Sequence, residues 1–157
     1  MSATELSNKP HTVDLCGKTY KVRRLSVVEM LTIASDYVRS ERMKNLEAAV
    51  KLVATELQPA FIATELAKMP AGVDMEAQSR KLLDEDMPDT LAYKLLFAAI
   101  TDQHPKLTER DVVMLYKDSD INVMIKTFYL IAGKNTDALE QPNSKSSRKR
   151  SSGRRRK

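Results

Sequence analysis

Apolar positions recur along this chain with two different periods. Between residues 12 and 25 they alternate: Val13 and Leu15 share one face, and Tyr20 and Val22 repeat that spacing beyond Cys16-Gly17-Lys18. A period of two marks strands, and Gly17 can supply a positive φ at the break, so this stretch predicts a β-hairpin. The polar residues before it, 1–11, predict a flexible arm.

From Ser26 onward the period changes to that of a helix. Ser26 and Glu29 have the spacing of a capping box, followed by Val27, Met30, Leu31, Ala34 and Val38. A helix to about Ser40 is expected. A second stripe of Leu46, Ala49, Val50, Val53 and Leu57 predicts another helix over about Asn45–Leu57. Pro59 suits the first turn of a third, with Phe61, Ile62 and Leu66 inward, up to Met69-Pro70. Residues 74–83 predict a short polar helix. The acidic cluster of residues 84–86, ahead of Met87-Pro88, suits the start of a helix carrying Leu91, Leu95, Leu96 and Ala99, which ends before His104-Pro105. Thr108 with Asp111 predicts a cap for a helix of Val112, Val113, Leu115 and Tyr116. Asp120 predicts a cap for a last helix of Ile121, Met124, Ile125, Phe128 and Ile131, and Gly133 its left-handed end.

The predicted fold is mainly α. An N-terminal β-hairpin leads into a compact bundle of about five or six short helices, and a disordered C-terminal tail follows. The expected organisation is an arm over 1–11, one helical domain over 12–135 and a tail over 136–157. A length of 157 residues fits one domain. With Trp absent and aromatic residues at 5%, aliphatic side chains, Ala and the 8 Met must fill the core.

Charge changes this picture at one end only. Eight of the 26 Lys and Arg residues are Lys145, Arg148, Lys149, Arg150, Arg154, Arg155, Arg156 and Lys157. The remaining 18 stand against all 21 acidic residues, so residues 1–144 carry a net charge of −3. The basic pI belongs to the tail and not to the fold, which argues against a folded nucleic-acid platform. Residues 141–157 carry no apolar side chain to bury against their ordering entropy. Such a tail attracts polyanions through counterion release. With no aromatic residue among its cations, it offers no base stacking. A solubilising terminus and a nucleic-acid or nuclear-import arm are both readings of these residues.

Candidate chemistry is sparse. Cys16 is the only cysteine, so no intramolecular disulfide forms and a reducing, cytoplasmic compartment is expected. His11 and His104 have no second His or Cys at zinc-ligand spacing, and both read as surface histidines. Cys16 lacks an arguable base and orienting group, so it reads as a structural or incidental thiol. Asp84, Glu85, Asp86 and Asp89 lack the alternating ligands and central glycine of a calcium loop. Gly133-Lys134 lacks the glycine frame of a phosphate loop. No cofactor, metal or catalytic residue is therefore expected. Neither signal-peptide nor membrane-spanning pattern is seen. Met69, Met75 and Met87 cluster in the middle of the chain and are candidates to line a groove for an apolar partner helix.

Two runs carry a family resemblance: His-Thr-Val-Asp-Leu-Cys-Gly-Lys-Thr-Tyr-Lys-Val at 11–22 and Arg-Arg-Leu-Ser-Val-Val-Glu-Met-Leu at 23–31. With short helices and a charged tail after them, the chain resembles the tail assembly chaperones of long-tailed bacteriophages, the group that includes the lambda G protein. The similarity is clearest over residues 11–40 and rests on helical pattern alone over 88–135. The resemblance implies no catalytic residues. It implies binding of the tape measure protein, whose long apolar helices are kept soluble, and recruitment of tail tube subunits. Self-association is a further expectation for the body. The resemblance does not require the strongly basic end, which leaves room for two other readings: a nucleic-acid-associated accessory protein, and a small structural adaptor of a virion. The nucleic-acid reading predicts DNA or RNA binding that weakens steeply with salt and disappears on truncation after Ser144. Filter binding between about 50 and 200 mM salt checks it.

Overall fold

The computed structural model describes residues 9–69, 71–85 and 87–134, apart from the side chain of Val73. The predicted flexible arm up to residue 8 and the predicted disordered tail lie outside the described residues. Strand β1 (His11–Leu15) pairs antiparallel with β2 (Lys18–Val22), in a register that sets Leu15 opposite Lys18 and Val13 opposite Tyr20. The arm therefore ends before His11, which already pairs with Val22. The two-residue loop has positive φ at both positions, 52° at Cys16 and 72° at Gly17. That is the backbone of the primed turns whose twist matches paired strands. Val13, Leu15 and Val22 are buried on one face, as the alternation predicts.

Among the described residues six α-helices follow: α1 (Val27–Val50), α2 (Gln58–Ala67), α3 (Val73–Asp84), α4 (Asp89–Thr101), α5 (Glu109–Asp118) and α6 (Ile121–Ile131). A 3-10 turn, Thr55–Leu57, leads into α2. The fold is mainly helical with an N-terminal hairpin, as expected. One correction concerns α1, which is a single helix of 24 residues where the pattern predicts two short ones. Residues 41–44 are Glu, Arg, Met and Lys, all good helix formers, with no Gly or Pro to stop them. The Glu41–Lys44 ion pair spans the stretch.

The core lies between the hairpin and the helices. Helix α4 is its centre, with Leu91, Ala92, Leu95, Leu96, Ala99 and Ile100 all buried. Around it pack Leu15, Val22, Leu25, Ala34, Val112, Met124 and Ile131. The segment after β2 is held by helix ends whose last carbonyls lack intrahelical partners. Arg23 N donates to Ala99 O and Leu25 N to Ile131 O, each at 2.9 Å. Lys21 N donates to His104 Nε2 at 2.9 Å, and the His104 ring stands edge-on to Tyr20. His104 is thus half-buried and tied to the hairpin, a correction to its reading as a surface residue.

The predicted caps form. Ser26 accepts from Glu29 N, while Glu29 Oε2 accepts from Ser26 N at 2.8 Å and from Ser26 Oγ at 2.9 Å. Glu29 also pairs with Arg23 Nη2 at 2.9 Å, and Arg23 Nε lies against the Asp102 carboxylate without the alignment of a hydrogen bond. The bond from Arg23, then those from Ser26, push the Glu29 carboxyl down to about 2. A carboxyl pKa depressed by folding stabilises the protein above its ordinary value and loses that effect as pH falls through the folded one. The acid limb of stability between pH 4.5 and about 2 should therefore flatten in Glu29→Gln. The side chain is 42% exposed, so solvent screening limits the loss at neutral pH to about 1 kcal/mol. Urea unfolding across that pH range checks both statements.

At the other end, Gly133 has φ 66°, Gly133 N donates to Leu130 O, and Lys134 N donates to Tyr129 O at 2.8 Å. This pair of bonds is a Schellman ending, as the position of the glycine predicts. Among the described residues, no helix is long and apolar enough to cross a membrane.

Candidate partner-binding site

The capping box fixes where α1 begins, and the Leu25–Ile131 bond sets that beginning beside the end of α6. Val27, Met30 and Leu31 on the first turns of α1 then face Leu83 of α3 and Phe128 of α6, with Met87 between them. Buried Leu95 of α4 forms part of the floor. The resulting cleft has a cavity volume of about 230 Å³. That is below the range of small-molecule and cofactor sites and of the order of one or two side chains. Arg80, Asp84 and Lys134 form a rim of mixed charge. Glu76 holds Arg80 through Nε at 3.0 Å and Nη2 at 2.7 Å.

The apolar surface continues out of the cleft. Val27 is 55% and Val28 73% exposed, although both begin the main structural helix. Apolar side chains leading into a half-open apolar cleft are suited to the i, i+3, i+4 stripe of an amphipathic partner helix.

The methionines expected to share one groove do not share it. Met87 lines the cleft. Met75 is buried. Met69 lines a separate hollow between α1 and α2. The reason is the length of α1: its first half belongs to the core body, its second half carries α2 away from it, and Met69 travels with α2. Met30, whose apolar neighbours suggested core alone, is half-buried and lines the cleft. Its spacing from Val27 and Leu31 was the available signal, but a stripe does not show which of its members stays uncovered. The cationic residues Lys145, Arg148, Lys149, Arg150, Arg154, Arg155, Arg156 and Lys157 lie outside the described residues.

Cys16 is exposed in the turn, with its sulfur 3.4 Å from Ser119 Oγ and 3.8 Å from Leu115 O. His11 is exposed on β1. Among the described residues, no group of three or more His, Cys, Asp or Glu side chains is placed to hold a metal ion. Tyr116 donates to Asp89 Oδ1 at 2.8 Å, latching α5 to the start of α4, and burial followed by this bond pushes the phenol up to about 12.

Comparison with family models, with curated proteins and with solved structures finds no match to the chain. The fold and its cleft define a hairpin-headed helical protein with a half-open apolar cleft at the start of its longest helix.

Proposed function

We propose that this protein is a non-enzymatic assembly chaperone of the kind that serves long-tailed phage tails. It binds the tape measure protein in the host cytoplasm and helps bring tail tube subunits to it. The observation that carries the proposal is the cleft bounded by Val27, Met30, Leu31, Leu83, Met87 and Phe128, open at the exposed Val27–Val28 edge. The resemblance over residues 11–40 covers the same ground, because that stretch builds the hairpin and the helix start that bounds the cleft. An apolar stripe on a tape measure helix enters the cleft, and the mixed-charge rim orients it. The cationic tail contacts a further subunit.

Co-expression with the tape measure product of the same genome tests this. The wild-type chain should co-purify with it. Val27→Glu places a carboxylate at the mouth of the cleft on an already exposed position, so the fold persists and binding should fall at least tenfold. Failure of the wild-type pair to form, or unchanged binding by Val27→Glu, overturns the assignment.

A further inference from the structure

The cleft lies where the chain leaves the helical body. Lys134 N donates to Tyr129 O, which turns the backbone after α6, and Lys134 itself lines the cleft with Ile131 and Ala132. Residues 135–157 contain one large apolar side chain, Leu139, in the run Asp137-Ala138-Leu139-Glu140. Residues 135–138 separate it from Lys134. A tether of that length reaches about 17 Å, enough to return Leu139 to the cleft from the cleft's own rim. The cations from Lys145 to Lys157 follow, with no acidic residue after Glu140. On the α3 and α4 side of the cleft, Asp84, Glu85 and Asp89 are exposed.

We infer that Leu139 of the same chain occupies the cleft in the free protein, between Met30 and Met87, with the cations beyond it drawn to Asp84, Glu85 and Asp89. Three observations select that occupant. The cleft has apolar walls and the volume of one or two side chains, which suits a lone leucine. The tether starts at the rim, so the local concentration of Leu139 is in the millimolar range, and a weak contact is enough to fill the site. The charges beyond Leu139 are opposite in sign to the exposed carboxylates on the far wall, and attraction between them draws the chain across the cleft.

A contact made by one leucine is readily displaced. Its consequence for regulation rests on the chaperone reading: a tape measure helix entering the cleft must expel Leu139, and the cations released with it then reach the next subunit. Partner binding thus precedes exposure of the tail. The occupancy itself does not depend on that reading, because it requires no other protein.

Paramagnetic broadening in the full chain tests it. A nitroxide is attached at Gln141→Cys in a Cys16→Ser background, and the methionine methyl groups are isotope-labelled. Met30 and Met87 should broaden strongly, and Met43, about 20 Å further along α1 than Met30, should broaden far less. Adding Leu139→Glu should reduce the broadening of Met30 and Met87 by about threefold or more, because a carboxylate does not enter an apolar cleft. Leu139→Ile should preserve it. When the nitroxide and the labelled methionines are on different chains, the broadening should disappear. Broadening unchanged by Leu139→Glu, or broadening between chains, overturns the inference. Where the tape measure product binds the wild-type chain, Leu139→Glu should bind it about threefold or more tightly, since no competitor holds the cleft. Equal affinities overturn the competition. A wild-type chain that shows the broadening and binds no tape measure product sinks the chaperone reading alone.

Discussion

Leu15→Ala should destabilise the protein by about 3 kcal/mol, the largest loss expected from a single truncation in the hairpin. Leu15 is the last residue of β1 and is fully buried, next to a turn whose other side chains are exposed. It joins the hairpin to the core cluster that includes Ile100, Val112 and Met124. Truncation removes about three methylene-sized groups from water-free contact and leaves a void. The hairpin cannot collapse into that void easily. Strand β1 is fixed by pairing with β2, and β2 in turn is held by the Lys21–His104 and Arg23–Ala99 bonds. Thr12→Ala, exposed on the same strand, should change stability by less than about 0.5 kcal/mol. Urea unfolding followed by circular dichroism gives both values. Equal midpoints for Leu15→Ala and the parent chain would contradict the packing described.

The contrast between Leu15 and Thr12 was legible in the sequence, because alternation assigns faces without any knowledge of what covers them. The same holds for the helix starts at Ser26, Thr108 and Asp120, where a side-chain oxygen meets a backbone N–H two or three residues on. These are local interactions. Their chemistry lies within one turn, so residue spacing suffices to place them.

What spacing could not show depends on contacts across long separations. The spacing predicts two helices because the apolar stripe lapses between Ser40 and Asn45. The lapse is real, but the polar residues there meet α3, with Arg42 Nη2 donating to Gln78 Oε1 at 3.2 Å, and the helix runs on to carry α2. Ser79 is a second case. It is buried in a helix that reads as polar, donates to Met75 O at 2.8 Å and lies 2.9 Å from Ser35 Oγ of α1. Two serines 44 residues apart give no pattern, yet their small size lets α1 and α3 come together. His104 is a third case, since its acceptor role needs the β2 backbone beside it. The cleft was half legible for the same reason. Val27, Met30 and Leu31 were visible as a stripe, whereas the facing wall of Leu83, Met87 and Phe128 comes from three other parts of the chain.

Gly133→Ala should cost about 1 kcal/mol, most of it from the left-handed backbone. Two effects meet there, and they differ in size. The residue sits at φ 66°, where a Cβ meets the following carbonyl, and this alone costs about 1 kcal/mol. A Cβ built there would also fall 1.9 Å from Arg24 Nε and 2.2 Å from Arg24 Cζ. These atoms are the far end of a long side chain on an exposed residue, so the guanidinium can give way at small cost and the backbone conformation sets most of the loss. Pairing Gly133→Ala with Arg24→Ala separates the two effects. If the guanidinium did not give way, the double variant would be more stable than the sum of the single losses by more than about 0.5 kcal/mol. Additive losses, the expected result, assign the cost to the left-handed backbone.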